Sequence, residues 1–188
     1  MKDVSVHPAI VPGRVIWITG LSGAGKSTLA QELVARLRKD GLSVVLLDGD
    51  ELRDVFGHSA FDGAKLDRAG RLGLALQYGK LCRLLALQGQ IVVIATISMF
   101  HEVYAWNRKN IPGYFEVYLR STIEALIKRD PKGIYRRFGM GEIQSVAGLD
   151  LPVDDPVNPD VEIVSDLNEE PALLGEMLAK KIDLMRNA

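Results

Sequence analysis

The chain has 188 residues, 47% of them hydrophobic and 25% charged, with a formal net charge of −1. That is the composition of one globular domain with a real core, and it excludes a broad basic field for a nucleic-acid polymer. A single cysteine, Cys82, excludes an internal disulfide and reads as a buried structural thiol.

Residues 1–13, with Pro8 and Pro12, read as a flexible arm, and residues 14–188 as one domain. The arm has no apolar leader pattern, and no run approaches the roughly 18 apolar residues of a membrane span. A cytoplasmic protein without membrane association is the expectation. Residues 14–19 (Arg14-Val15-Ile16-Trp17-Ile18-Thr19) read as a buried strand with Trp17 in the core. Gly20-Leu21-Ser22-Gly23-Ala24-Gly25-Lys26-Ser27 follows and fits G-x-x-x-x-G-K-[ST], the phosphate-binding P-loop. Its glycines let successive N–H groups face a phosphate, Lys26 reaches the outer phosphates, and Ser27 offers a hydroxyl to Mg²⁺. Leu29, Ala30, Leu33, Val34 and Leu37 then mark a helix, whose N-terminus adds partial positive charge, and Gly41 closes it.

A second strand at 43–47 delivers Asp48-Gly49-Asp50 at its C-terminal end, where parallel sheets bind ligands. Asp50 is the better candidate to face an acceptor hydroxyl, because Gly49 permits a turn that aims it into the cleft. Arg53, one helical turn on, is placed to clamp an anion. Residues 56–67 read as a loop, 68–88 as a helix, and 91–97 as a third strand capped by Ser98. No carboxylate ends that strand, so Mg²⁺ should have few protein ligands, Ser27 with Asp50. A short helix at 101–110, a strand at 114–119 and a helix to about Arg129 with Ser121 as N-cap follow. Residues 130–160 are rich in proline, glycine and arginine and read as a lid. A strand at 161–164 and a helix at 171–186 close the chain. Strands alternating with helices give an α/β fold with a parallel sheet of about five strands, covered on both faces. A nucleotide-dependent switch would need a base-reading Asn-Lys-x-Asp and a switch Asp-x-x-Gly, and neither stands in the expected order.

These motifs together resemble the adenylylsulfate kinase (APS kinase) family. The resemblance rests on the P-loop, Leu47-Asp48-Gly49-Asp50 with Arg53, Arg129-Asp130-Pro131-Lys132-Gly133-Ile134-Tyr135, Gly141-Glu142-Ile143 and Gly148-Leu149-Asp150. It implies a P-loop kinase-type three-layer fold, a homodimer, and transfer of the γ-phosphoryl of ATP to the ribose 3′-hydroxyl of adenylyl sulfate. It also implies that ATP is held by the loop from Gly20 through Ser27 and Thr28, with Arg129, Lys132 and Arg136 from the lid. On the acceptor side it implies Asp48, Asp50, Arg53, Arg68, Ile97, Ser98, Lys132, Gly148 and Leu149, with Phe61 stacking on the base.

Departures cluster on that acceptor side. Where the family has I-S-P-Y-R, this chain has Ile97-Ser98-Met99-Phe100-His101. The family's asparagine one turn after Arg68 is Arg71, and its Phe-Thr-Gly is Val146-Ala147-Gly148, which removes one of two aromatic walls around the base. Ser-Met-Phe variants resemble kinases that act on nucleotides in surface-polysaccharide biosynthesis, for instance on cytidine diphosphoramidate. Tyr104, Trp106 and Tyr114 could line an acceptor pocket or a dimer face.

Overall fold

The computed structural model describes residues 11–57, 67–164 and 170–184. Most of the N-terminal arm, with His7, lies outside them, as do His58, Phe61 and the last four residues.

Five strands, β1 (Arg14–Thr19), β2 (Val44–Asp48), β3 (Ile91–Ala95), β4 (Tyr114–Arg120) and β5 (Val161–Val164), form one parallel sheet in the order β2-β3-β1-β4-β5. The seven helices among the described residues are α1 (Lys26–Lys39), α2 (Gly49–Val55), α3 (Arg68–Leu87), α4 (His101–Asn110), α5 (Ile123–Arg129), α6 (Ile134–Gly139) and α7 (Pro171–Leu184). From β1 the chain winds one way to β2 and β3, then crosses back past β1 to β4. The crevice outside the strand C-termini at that reversal is where α/β sheets take ligands.

β1 is buried on both sides, which is why it reads as a continuous apolar run. Its alternate side chains feed two cores. Ile16 and Ile18 pack with Leu29, Leu33 and Leu37 of α1 and Leu178 of α7, while Val15 and Trp17 pack with Leu74, Tyr78 and Cys82 of α3 and Val103 of α4. Cys82 and Trp17 are thus core residues, and burial pushes the Cys82 thiol up to about 12. No helix among the described residues is long and apolar enough to cross a membrane.

Three local expectations need correction. The third strand ends at Ala95, two residues early: β2 ends opposite it at Asp48, and on the β1 side the last ladder bond runs from the Thr96 N–H to the Ile18 carbonyl at 3.0 Å. The chain then turns through Ser98, at φ 33°, with the Thr96 and Ser98 hydroxyls 2.7 Å apart. At α5 the cap is Thr122, whose Oγ1 accepts from the Ala125 N–H at 3.3 Å. Ser121 is one residue too far from the free amides, and its buried hydroxyl finds no hydrogen-bond partner among the described residues.

Gly49 is the third. It does not supply a turn; it opens α2 and lies outside the positive-φ set. Its role is close approach. A Cβ there would lie 2.8 Å from Thr96 Oγ1, 3.1 Å from Thr96 Cβ and 3.3 Å from the Ala95 carbonyl. Helix propensity alone predicts that Gly49→Ala stabilises. Contact with the end of β3 predicts the opposite, a loss of about 1–3 kcal/mol. Thermal unfolding of the variant decides by sign, and an unchanged or higher Tm would contradict the close-approach reading.

Candidate active site

The loop between β1 and α1 turns on positive φ at Gly23 (81°) and Gly25 (94°), which L side chains resist. Gly25 is also the N-cap of α1, so the unpaired amides of that helix face the same crevice. Lys26 folds back over the loop, its Nζ donating to the Leu21 carbonyl at 2.8 Å. Burial first, and the charge of Lys132 second, pull its pKa down to about 8, while Asp50 and Asp48 oppose the shift.

Ser27 donates to Asp48 Oδ2 at 2.6 Å. Asp48 is also the N-cap of α2, its Oδ1 accepting from the Asp50 N–H at 2.9 Å. One carboxylate thereby joins the P-loop to the start of α2. Asp50, in the first turn of α2, faces the other way, with Lys132 Nζ at 2.5 Å and Arg53 at 3.6 Å. Burial raises the Asp50 carboxyl, but the Lys132 hydrogen bond and charge, with Arg53 and Lys26, outweigh it and hold the group below the usual carboxylate range. Sequence reasoning paired Ser27 with Asp50; the structure brings Asp48 to Ser27. An Asp just before a helix signals the cap, which uses Oδ1; the Ser27 contact through Oδ2 comes from tertiary packing.

The Arg129–Tyr135 stretch is organised by Asp130. That residue ends α5 at φ 25°, and its carboxylate oxygens accept from the Tyr135 and Arg136 N–H groups at 3.2 and 2.9 Å. It therefore caps α6 while stopping α5. The fold places Arg129 Nη1 3.3 Å from the Gly23 carbonyl and Tyr135 Oη 2.8 Å from the Ser22 carbonyl. Sequence reasoning gave Tyr135 no role; it is a tie between this segment and the P-loop. Arg136 lines an open pocket of about 510 Å³ with Lys132, Gly133 and Pro131.

Among the residues expected to bind an acceptor, Arg68 pairs with Glu102 at 3.3 Å and Asp154 at 3.1 Å and lies over the Phe100 ring at 5.2 Å. Ile97 offers its carbonyl to the Thr19 hydroxyl, and Ser98 is buried. Gly148 touches the P-loop: a Cβ there would lie 2.9 Å from both Leu21 methyls. Leu149 packs against the β1–α1 core, and Val146, only 6% exposed, lies within it. The ring of Tyr104 is held between sheet and helix, with its hydroxyl on the Asp154 carbonyl. Arg71 donates to the Ser145 carbonyl at 2.8 Å. Phe61 falls outside the described residues.

A phosphate loop at the end of a central parallel strand, facing a helix-capping aspartate and a cationic segment, defines a P-loop phosphotransferase. The comparisons narrow the class. The family model described as adenylylsulphate kinase matches residues 12–164, and the chain belongs to that family of kinases. It is 42% identical over 142 residues to the cytidine diphosphoramidate kinase of Campylobacter jejuni, covering 76% of this chain and 81% of that one. It is 35% identical over 184 residues to the adenylyl-sulfate kinase of Chloroflexus aurantiacus, covering 97% of each. Among solved structures it resembles the Mycobacterium tuberculosis APS kinase in complex with AMPPNP and APS, at TM-score 0.80 and 32% identity over 93% of this chain and 98% of that one.

The lowered Lys26 pKa has a consequence for binding. Free Lys26 loses its proton as pH rises through about 8, and an anionic polyphosphate binds the protonated form. Affinity for ATP is therefore expected to fall above that pH, by up to about tenfold per unit. Calorimetric titration across the alkaline range checks it. Lys26→Ala should bind more weakly and lose the slope, and a pH-independent wild-type affinity would refute the shift.

Proposed function

We propose that this protein transfers the γ-phosphoryl group of ATP to the ribose 3′-hydroxyl of a small nucleotide. The observation that carries it is the meeting, in one crevice, of the Lys26–Ser27 loop with Asp50 and Lys132. Phosphoryl transfer needs in-line positioning and charge neutralisation rather than a covalent intermediate. Lys26 sits over the loop to meet the outer phosphates of ATP. Segment 130–160 acts as a lid, bringing Arg129, Lys132 and Arg136 to the same charge. Asp50 accepts the hydroxyl proton; its lowered pKa keeps it a carboxylate at neutral pH. Arg53 and Arg68 hold the acceptor's anionic part.

Mg²⁺ fits this donor set. Ser27 Oγ and Asp48 Oδ2 are hard oxygens 2.6 Å apart, and no cluster of three or more acidic, His or Cys side chains occurs among the described residues. That suits an ion held chiefly by phosphate oxygens and water. When bound, it orients and neutralises the β- and γ-phosphates. Ser27 and Asp48 would hold it, with Asp50 left to the acceptor. A cytoplasmic homodimer completes the reading.

Adenylyl sulfate is the family's acceptor, but Val146 favours a cytidine nucleotide with a modified diphosphate, the substrate type in the name of the C. jejuni relative. Val146 is buried in the core and offers no stacking wall. A lost base–aromatic stack of roughly 1–3 kcal/mol weakens adenine binding about tenfold or more. Steady-state kinetics with adenylyl sulfate and cytidine diphosphoramidate side by side should give the higher kcat/KM for the cytidine compound. Turnover of adenylyl sulfate in the ordinary range of about 10⁴–10⁸ M⁻¹s⁻¹, with none of the cytidine compound, would sink the pyrimidine reading. In the same assay Asp50→Asn should lower kcat by about 10²-fold or more, with Asp48→Asn a smaller loss of kcat.

A further inference from the structure

Resting on the acceptor reading above, we propose that Arg71 selects the acceptor base: its guanidinium plane supplies the wall that Val146 does not. Arg71 stands in the first turn of α3, three residues after Arg68, and reaches across the crevice to the loop that carries Val146. Its Nη2 donates 2.8 Å to the carbonyl of Ser145, the residue just before Val146.

That anchor is rigid. Ser145 sits at φ 60°, a conformation held by Asp150, whose carboxylate accepts from the Ser145 N–H at 2.7 Å and the Val146 N–H at 2.6 Å. The loop closes on itself through the Leu149 and Leu151 N–H groups, both donating to the Val146 carbonyl. The hydrogen bond ties the Arg71 guanidinium to that loop. Arg71 is half-buried, and burial first and the charge of Arg53 second lower its pKa, while Asp150 opposes the shift.

A planar guanidinium stacks on a nucleobase; a branched aliphatic side chain packed into the core does not. The two departures from the family pattern therefore compensate. Asparagine gives way to arginine on α3, and the aromatic gives way to valine on the loop. Because Arg71 spans from α3 to residue 145, it also narrows the slot between them. A pyrimidine is the smaller ring and is the base favoured.

The test measures binding as well as turnover. Arg71→Lys keeps the charge and removes the plane. It should weaken cytidine 5′-diphosphate binding to the ADP-loaded protein by about tenfold or more, while ATP affinity moves by less than about twofold. Combining Arg71→Asn with Val146→Phe should shift the kcat/KM ratio of cytidine diphosphoramidate to adenylyl sulfate by about tenfold or more toward adenylyl sulfate. Thermal unfolding confirms that each variant is folded. If Arg71→Lys binds cytidine diphosphate as wild type does, or if both acceptors lose equally so that the ratio is unmoved, Arg71 is only a strut for the loop and the proposal fails. If wild-type protein binds neither nucleotide at the acceptor site, the acceptor reading itself fails and this proposal falls with it.

Discussion

A lysine ammonium held half-buried over a loop of inward-facing amides is the constraint to which the rest of the site answers. The loop and the start of α1 concentrate positive potential at the end of β1, and burial already presses the Lys26 pKa down to about 8. That charge is offset by protein groups. Asp48 and Asp50 supply the offset from the end of β2, but they do so unequally. Asp48 is committed to Ser27 and to the cap of α2, whereas Asp50 answers Lys132. Two carboxylates two residues apart thus acquire different tasks because one is a helix cap and the other lies in the first turn.

The same charge explains the Arg129–Tyr135 segment. Its cations lie beside a P-loop that already holds Lys26. The segment is retained by hydrogen bonds to loop carbonyls, Arg129 on Gly23 and Tyr135 on Ser22, and by the Asp50–Lys132 ion pair. That pair is half-exposed, so it is screened and readily exchanged. Asp130 makes the arrangement local: one side chain stops α5, starts α6 and so sets the directions of Arg129, Lys132 and Tyr135.

The two sides of the crevice differ in how tightly chemistry restricts them. The P-loop, Asp48-Gly49-Asp50 and the Arg129–Tyr135 stretch follow the family pattern. Met99, Phe100, His101, Arg71 and Val146 depart from the family pattern, and beside them Arg68 lies between Glu102 and Asp154 and Arg71 on Ser145.

Much of the fold was legible from the sequence alone. Continuous apolar runs, helical periodicity and glycine punctuation are local signals, and they located five strands in a parallel sheet, the P-loop and the helices α1, α3, α4, α5 and α7 to within a few residues, while the short α2 and α6 were not expected. Errors fell where the outcome depended on neighbours distant in the chain. The third strand stops at Ala95, opposite the end of β2 at Asp48; Gly49 is a glycine because Thr96 lies against it, not because of its own φ. The P-loop residues were readable because a phosphate cradle is built from one contiguous stretch. That Ser27 meets Asp48, that Lys132 reaches Asp50 across 82 residues, and that Arg71 crosses 74 residues to Ser145 are consequences of tertiary packing. Residue types and local spacing determined which groups this chain possesses; only the fold decided which of them face each other, because side-chain pairing across a crevice depends on how separate elements pack and leaves no period in the sequence.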